Sequence, residues 1–287
     1  RTPSVISTPA PATPVRAVNA IVAAQFAGVT LIWGSTWIVI HSQLAMVPPA
    51  WSVAYRFMLA GGVMLTLCLL RADLRAQLRA FAPRDHGFAL VVALMQFSLN
   101  FNLVYAAQRH LTSGLVALLF ALLIVPNAVL GAVFLGQRLT PRFLLGSAVA
   151  IVGLTLLFGR DLLAARSDGR AELLIGLGLA LLSVLSASIG NVMQATERGR
   201  AMAVTPTLAL AMSYGSLFNI AYAWISAGPP RFVVSPAYIA GLLYLGLVAS
   251  VLAFSLYYRL LRNIGPAAAA YTSVLVPILA MALSTLF

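Results

Sequence analysis

The sequence predicts an all-α polytopic membrane protein, a ten-transmembrane-helix inverted repeat (five plus five) whose last helix is missing from this chain. Three observations carry that expectation. Apolar spans at residues 20–40, 50–70, 87–107, 113–136 and 141–159 are followed by four more that match the first four in order. Each is about twenty residues long, the length at which an α-helix crosses roughly 30 Å of hydrocarbon. Hydrophobic residues make up 61% of the chain and charged residues 8%, with a mean hydropathy of +0.97, so there are too few charges to cover a water-facing surface. Because the first set holds an odd number of spans, the second set enters the bilayer from the opposite face, an arrangement found in many secondary transporters.

Taken in order, residues 1–19 hold Pro3, Pro9, Pro11 and Pro14 among Ser, Thr and Ala, without the apolar core of a signal peptide, and read as a disordered cytoplasmic tail. The first repeat occupies residues 20–160 and a linker residues 161–172, the connection from 160 balancing Arg160, Arg166 and Arg170 with Asp161, Asp168 and Glu172; the second repeat, helices six to nine, occupies residues 173–287. Trp33-Gly34-Ser35 aligns with Ile189-Gly190-Asn191, and Pro49-Ala50-Trp51 with Thr205-Pro206-Thr207. Phe101-Asn102-Leu103-Val104-Tyr105 then aligns with Phe254-Ser255-Leu256-Tyr257-Tyr258, and Val125-Pro126 with Val276-Pro277. Four matches in one order outweigh chance among apolar helices. In this register Phe287 falls opposite Gly136, ahead of the fifth span, and the chain opens without methionine, so both ends are expected to be incomplete.

Charge sets the orientation and removes several functions. All 18 basic residues are arginine; twelve fall on the side of the N-terminus and five on the other, which predicts a cytoplasmic N-terminus. The net charge of +12 is thereby explained without nucleic acid, since no basic stripe with interleaved aromatics exists outside the spans. The absence of lysine rules out a Walker A motif and with it an ATP-driven pump within this chain. Asp73, Asp85, Asp161, Asp168, Glu172 and Glu197 all lie in loops or at helix ends, leaving no intramembrane carboxylate to carry a proton or Na⁺. Facilitated, gradient-driven transport follows. An intramembrane enzyme would have to use His41, His86 or His110, which sit at or beyond span ends without the spacing of a zinc site. No metal or cofactor is expected, and the lone Cys68, inside span two, reads as a packing residue.

The chemistry then rests on polar and aromatic residues inside the spans. Trp33, Trp37 and His41 recur at four-residue steps and share a helix face, with Ser35 alongside; the face either stacks an apolar substrate group or belongs to an interfacial belt. Arg56, the one charge well inside a span, either faces a cavity and pairs with a substrate carboxylate or snorkels to the surface. Gln96 and Asn100 share one face of span three, and Asn102 lies on another; Ser188, Asn191 and Gln194 repeat the theme in span six. Such groups bind substrate or join helices. Tyr214 heads an aromatic stripe in span seven. Pro126 and Pro277 hold matching positions in spans four and nine, where a missing N–H makes either a hinge or a static kink. The expected substrate site is therefore Trp33, Ser35, Trp37, Arg56, Asn100, Asn102, Ser188, Asn191 and Tyr214, with Pro126 and Pro277 as hinges.

Several of these residues carry a resemblance. Trp33-Gly34-Ser35, Arg56-Phe57, Leu111-Thr112-Ser113-Gly114, the mid-helix Pro126 and the Leu135-Gly136-Gln137 exit resemble the EamA-type repeat of the drug/metabolite transporter superfamily. Within it the chain is most similar to the ten-helix YddG-type amino-acid exporters. It departs from the pattern at Gln137, where the family usually has Glu, and at Ile189-Gly190-Asn191, where the second repeat lacks the tryptophan. The resemblance implies a basket-like bundle around a central cavity, working by alternating access. It also implies a monomer in a bacterial inner membrane, exporting large neutral or aromatic amino acids and related metabolites. Nucleosides and hydrophilic drugs use similar lining groups and stand as alternative cargo, and the intramembrane enzyme as the alternative class.

Overall fold

The computed structural model describes residues 15–164 and 167–286, so most of the predicted tail and two positions of the predicted linker lie outside the described residues. Among the described residues every element is helical. In the first half α1 (Val15–Leu44), α2 (Pro49–Leu70), a short α3 (Ala72–Arg79) and α4 (Pro83–Val92) follow one another. α4 continues through a π-helical stretch (Ala93–Leu99) into α5 (Asn100–Ala107), and then come α6 (Ser113–Ala121), α7 (Ile124–Leu135) and α8 (Pro141–Ala164). The second half runs α9 (Ser167–Ala195), α10 (Glu197–Ala201), α11 (Val204–Ala227) and α12 (Pro236–Leu243). A second π-helical stretch (Tyr244–Leu252) leads into α13 (Ala253–Ile264), followed by α14 (Pro266–Ala269) and α15 (Tyr271–Leu286). Among the described residues, seven helical segments are long and apolar enough to cross a membrane.

The boundaries follow from local chemistry. Pro49, Pro83 and Pro236 each occupy the first turn of a helix, where a missing N–H costs nothing. Thr112, Thr196 and Ser235 cap α6, α10 and α12 through their side-chain oxygens. Gly136 ends α7 at φ 65°, the left-handed conformation that favours glycine. Between α2 and α3, Arg71 donates two hydrogen bonds to Asp73 and holds that exposed carboxyl below its ordinary range.

Packing marks this as a lipid-facing bundle. Leu70, Val133 and Ile225 are 79%, 70% and 85% exposed, a pattern that lipid accommodates and water does not. α8 likewise turns nearly all its described side chains outward. α2 and α11 pack together along their lengths, and Gly61 sets their approach: a Cβ there would lie 2.8 Å from the backbone nitrogen of Ser213. Polar groups join the remaining helices. Ser183 donates to the Asn100 carboxamide oxygen at 2.8 Å, and Asn102 donates to Asn219 at 2.7 Å.

The correspondence that pairs Phe101 with Phe254 lays the first π stretch onto residues 246–252 of the second. A π turn bonds to the fifth residue instead of the fourth and disturbs the local carbonyl ladder. Side chains from neighbouring helices use those carbonyls. Ser186 and Asn219 donate to Met95 and Phe97 in the first stretch, and Trp33 donates to Ala249 in the second, at 2.7, 2.9 and 3.3 Å.

Candidate functional site

A cavity of about 90 Å³ lies within the bundle, walled by α1, α2, the first π stretch with α5, α6, α9, α13 and α15. Its faces are aromatic. Trp33 packs against Tyr257 and Phe254 with ring centroids 4.7 and 5.2 Å away, while its indole N–H is held by the Ala249 carbonyl, so the ring plane is fixed. Trp37 meets Phe120 across the cavity at 5.9 Å, joining α1 to α6. Phe101 and Phe254, equivalent positions in the two halves, both line it, as do their companions Val104 and Tyr257.

Arg56 enters this aromatic shell from α2 and is 2% exposed. Its Nε donates to Ser250 Oγ at 2.8 Å, and Ser250 in turn donates to the Leu245 carbonyl five residues earlier, a partner that the π turn brings into reach. The guanidinium lies over the rings of Phe101 and Phe57, 4.5 and 5.6 Å from their centroids. No described carboxylate forms an ion pair with it; the buried Tyr105 hydroxyl lies beside the guanidinium, and Nη1 makes no hydrogen bond of normal geometry. An anion entering the cavity would meet a desolvated, fork-shaped donor. Of the two sequence expectations for Arg56, its buried place in the cavity wall agrees with the cavity-facing one.

Of the other expected site residues, Trp33, Trp37, Asn100 and Asn191 line the cavity. Asn100 is largely committed to packing, since it accepts from Ser183 and donates to the Gln96 carbonyl. Asn191 donates to Tyr257 Oη at 3.3 Å. The remaining four lie away from it. Ser35 is bound to Tyr244 Oη at 2.6 Å and to its own helix backbone. Asn102 sits two residues beyond Asn100, about 200° around the helix, and so faces α11. Ser188 is fully buried off the cavity wall, and Tyr214 pairs with His86 Nδ1 at 2.7 Å nearer the N-terminal side. His41 is exposed and does not line the cavity.

The proline positions differ from the mid-helix symmetry expected. Pro277 does lie inside α15, but Pro126 stands in the first turn of α7, just after a break at Leu122–Leu123. There it removes no intrahelical bond; its effect is to keep α6 and α7 from joining. One residue on, Asn127 donates to the Pro266 carbonyl at 3.0 Å and ties the start of α7 to that of α14. Arg262 donates to the Met202 carbonyl at 2.6 Å and to Gln194 at 3.2 Å, tying α13 to α9 and to the residue after α10.

Sequence reasoning did not select Gln96, Phe101, Phe254 or Tyr257 for the site, although two signals pointed to them. Gln96 shares a face of span three with Asn100, and the Phe101–Tyr105 match to Phe254–Tyr258 marks equivalent positions in the two halves.

The chain matches the sequence profile of the EamA-like transporter family over residues 20–159 and 174–287. It is 26% identical over 255 residues to Protein PagO of Salmonella typhimurium strain LT2, covering 89% of this chain and 81% of that protein. It is 26% identical over 266 residues to the uncharacterized inner membrane transporter YedA of Escherichia coli K12, covering 89% and 79%. A probable amino-acid metabolite efflux pump of Escherichia coli K12 is 24% identical over 267 residues, covering 90% and 84%. A solved crystal structure superposes with a TM-score of 0.65 at 19% identity, covering 93% of this chain and 88% of that one, which shows a shared fold. Matched over both parts of its length, the chain belongs to the EamA-like transporter family.

Proposed function

We propose that this membrane transporter exports amino acids with large neutral or aromatic side chains, and related metabolites, across a bacterial inner membrane by alternating access. The observation that carries the reading is Arg56: a buried guanidinium whose Nη1 makes no hydrogen bond of normal geometry, facing a cavity walled by aromatic rings. Keeping an ionised group out of water without a counter-charge is costly, and a substrate carboxylate supplies the missing partner. The rings of Trp33, Trp37 and Phe254 offer an apolar surface for the side chain. Two relatives, from Escherichia coli and Salmonella typhimurium, are named probable amino-acid metabolite efflux pumps, and YedA an inner membrane transporter, which supports both cargo and location.

In this reading the N-terminus is cytoplasmic, as the arginine distribution favours. Transport is facilitated: among the cavity-lining residues there is no carboxylate or histidine to couple a proton. The break before Pro126 and the interior Pro277 serve as hinges. The test is counterflow in proteoliposomes, in which labelled L-phenylalanine exchanges against an unlabelled internal pool without ATP. Saturable exchange supports the proposal; an absence of exchange for all neutral amino acids, with the protein folded and inserted, overturns it.

A further inference from the structure

Arg56 is not the only cavity residue with an unmatched atom. The indole N–H of Trp37, the carboxamide oxygen of Gln96 and that of Asn191 also lack partners, and the four residues are 2%, 8%, 3% and 1% exposed respectively. Native interiors keep few buried polar atoms unpaired, because each costs the full desolvation of that atom. Unpaired side-chain atoms also occur elsewhere in the bundle, but these four belong to residues that line one cavity, where a ligand can supply the missing partners. Two are donors, from α1 and α2, and two are neutral acceptors, from the first π stretch and α9.

The acceptors are built into position. A Cβ at Gly190 would lie 2.5 Å from Gln96 Oε1 and 2.9 Å from Gln96 Cβ, so only the missing side chain at 190 lets the carboxamide rest against α9. One residue on, Asn191 gives its amide N–H to Tyr257 Oη, which leaves the carbonyl end free.

Building on the carboxylate reading of Arg56, we infer that Gln96 Oε1 and Asn191 Oδ1 form an ammonium subsite, so that the cavity selects α-amino acid zwitterions. A carboxylic acid without the amine leaves both oxygens unpaired. An amine without the carboxylate brings a second positive charge beside an uncompensated guanidinium. The zwitterion alone satisfies both ends and adds no net charge to the cavity, and it does so with no acidic side chain whose protonation would alter binding near neutral pH.

The test is equilibrium binding of labelled L-phenylalanine to the purified full chain, with 3-phenylpropionate and phenethylamine as competitors. A lost hydrogen bond to a charged group weakens binding about tenfold or more, so both competitors bind the unmodified protein at least that much more weakly than phenylalanine. Gln96→Met then weakens phenylalanine about tenfold and leaves 3-phenylpropionate unchanged, bringing the two ligands close to parity. Asn191→Leu, at an independent position, gives the same convergence if Gln96→Met fails to fold. Parity of phenylalanine and 3-phenylpropionate in the unmodified protein overturns the subsite while leaving the Arg56 reading intact. Equal weakening of both ligands by the variants overturns it too, by making the carboxamides mere packing groups. Failure of the unmodified protein to bind either acid overturns the carboxylate reading and the subsite together.

Discussion

Replacing Arg56 with methionine separates recognition from folding, because the two effects have opposite signs. A carboxylate about 4 Å from the guanidinium gains roughly 4 kcal/mol at an effective dielectric constant near 20. Desolvating the ligand offsets part of that, leaving about 2–4 kcal/mol, or roughly 30- to 1,000-fold in affinity at 1.36 kcal/mol per tenfold. For the fold, Met keeps an unbranched stem against Phe101 and gives up the bond to Ser250 Oγ, while Ser250 retains its own bond to Leu245. Removing an uncompensated buried charge is neutral or stabilising when the replacement packs well. The expected result is a loss of L-phenylalanine affinity within that range, measured by scintillation proximity on purified protein, with a melting temperature that stays level or rises. Unchanged affinity refutes the reasoning. So does a drop in melting temperature that accounts for the whole binding loss, since Arg56 is then a structural brace.

Three further substitutions probe the account. Trp33→Ala removes ring contacts with Tyr257 and Phe254, each worth about 0.5–1.5 kcal/mol in an aromatic pair, and opens the wall that would stack an aromatic substrate. A competition panel is expected to show the preference for phenylalanine over alanine falling about tenfold, a change of roughly 1.4 kcal/mol. Pro126→Ala restores an N–H in the first turn of α7 and lets α6 and α7 join; about 1 kcal/mol of added hydrogen bonding slows exchange roughly fivefold while equilibrium binding holds. Unchanged flux at normal expression counts against the hinge. Gly61→Ala forces a methyl to within 2.8 Å of the Ser213 backbone nitrogen and 3.0 Å of the Met212 carbonyl carbon. Overpacking of that kind costs about 1–3 kcal/mol, which thermal unfolding in detergent will read as a lowered midpoint.

What could be read in the sequence was whatever a single residue type decides. Arg56 stood out as a lone charge in an apolar span, Trp33 as an indole deep in span one, and Asn191 as the carboxamide that takes the place of Ser35 in the second repeat; all three line the cavity. The start of α2 and the end of α7 were equally legible, because Pro49 and Gly136 act through their own backbone, whereas the span expected from residue 87 begins at Pro83. Facing was not. Ser35, Asn102, Ser188 and Tyr214 have the right chemistry for a site, but Tyr244, Asn219 and His86 claim three of them, and no local pattern names a partner 117 to 209 residues away. The π stretches add a second obstacle. A π turn shifts the side-chain face relative to α-helical periodicity, so a 3.6-residue count along span eight does not carry from Tyr244 to Phe254 and Tyr257. Gln96 was hidden for a related reason: its role depends on the space left by Gly190 on another helix.

The central claim is that an uncompensated Arg56 in an acid-free aromatic cavity anchors an amino-acid carboxylate during carriage that needs neither ATP nor a proton gradient. Counterflow of labelled L-phenylalanine, run in parallel on the unmodified protein and on Arg56→Met in liposomes of equal internal and external pH, tests it most directly. The account predicts saturable exchange by the unmodified protein, level between about pH 6 and 8 because no described carboxylate or histidine lines the cavity, and its loss in the variant. Exchange that appears only under an imposed proton gradient, or that runs at full rate in Arg56→Met, contradicts it.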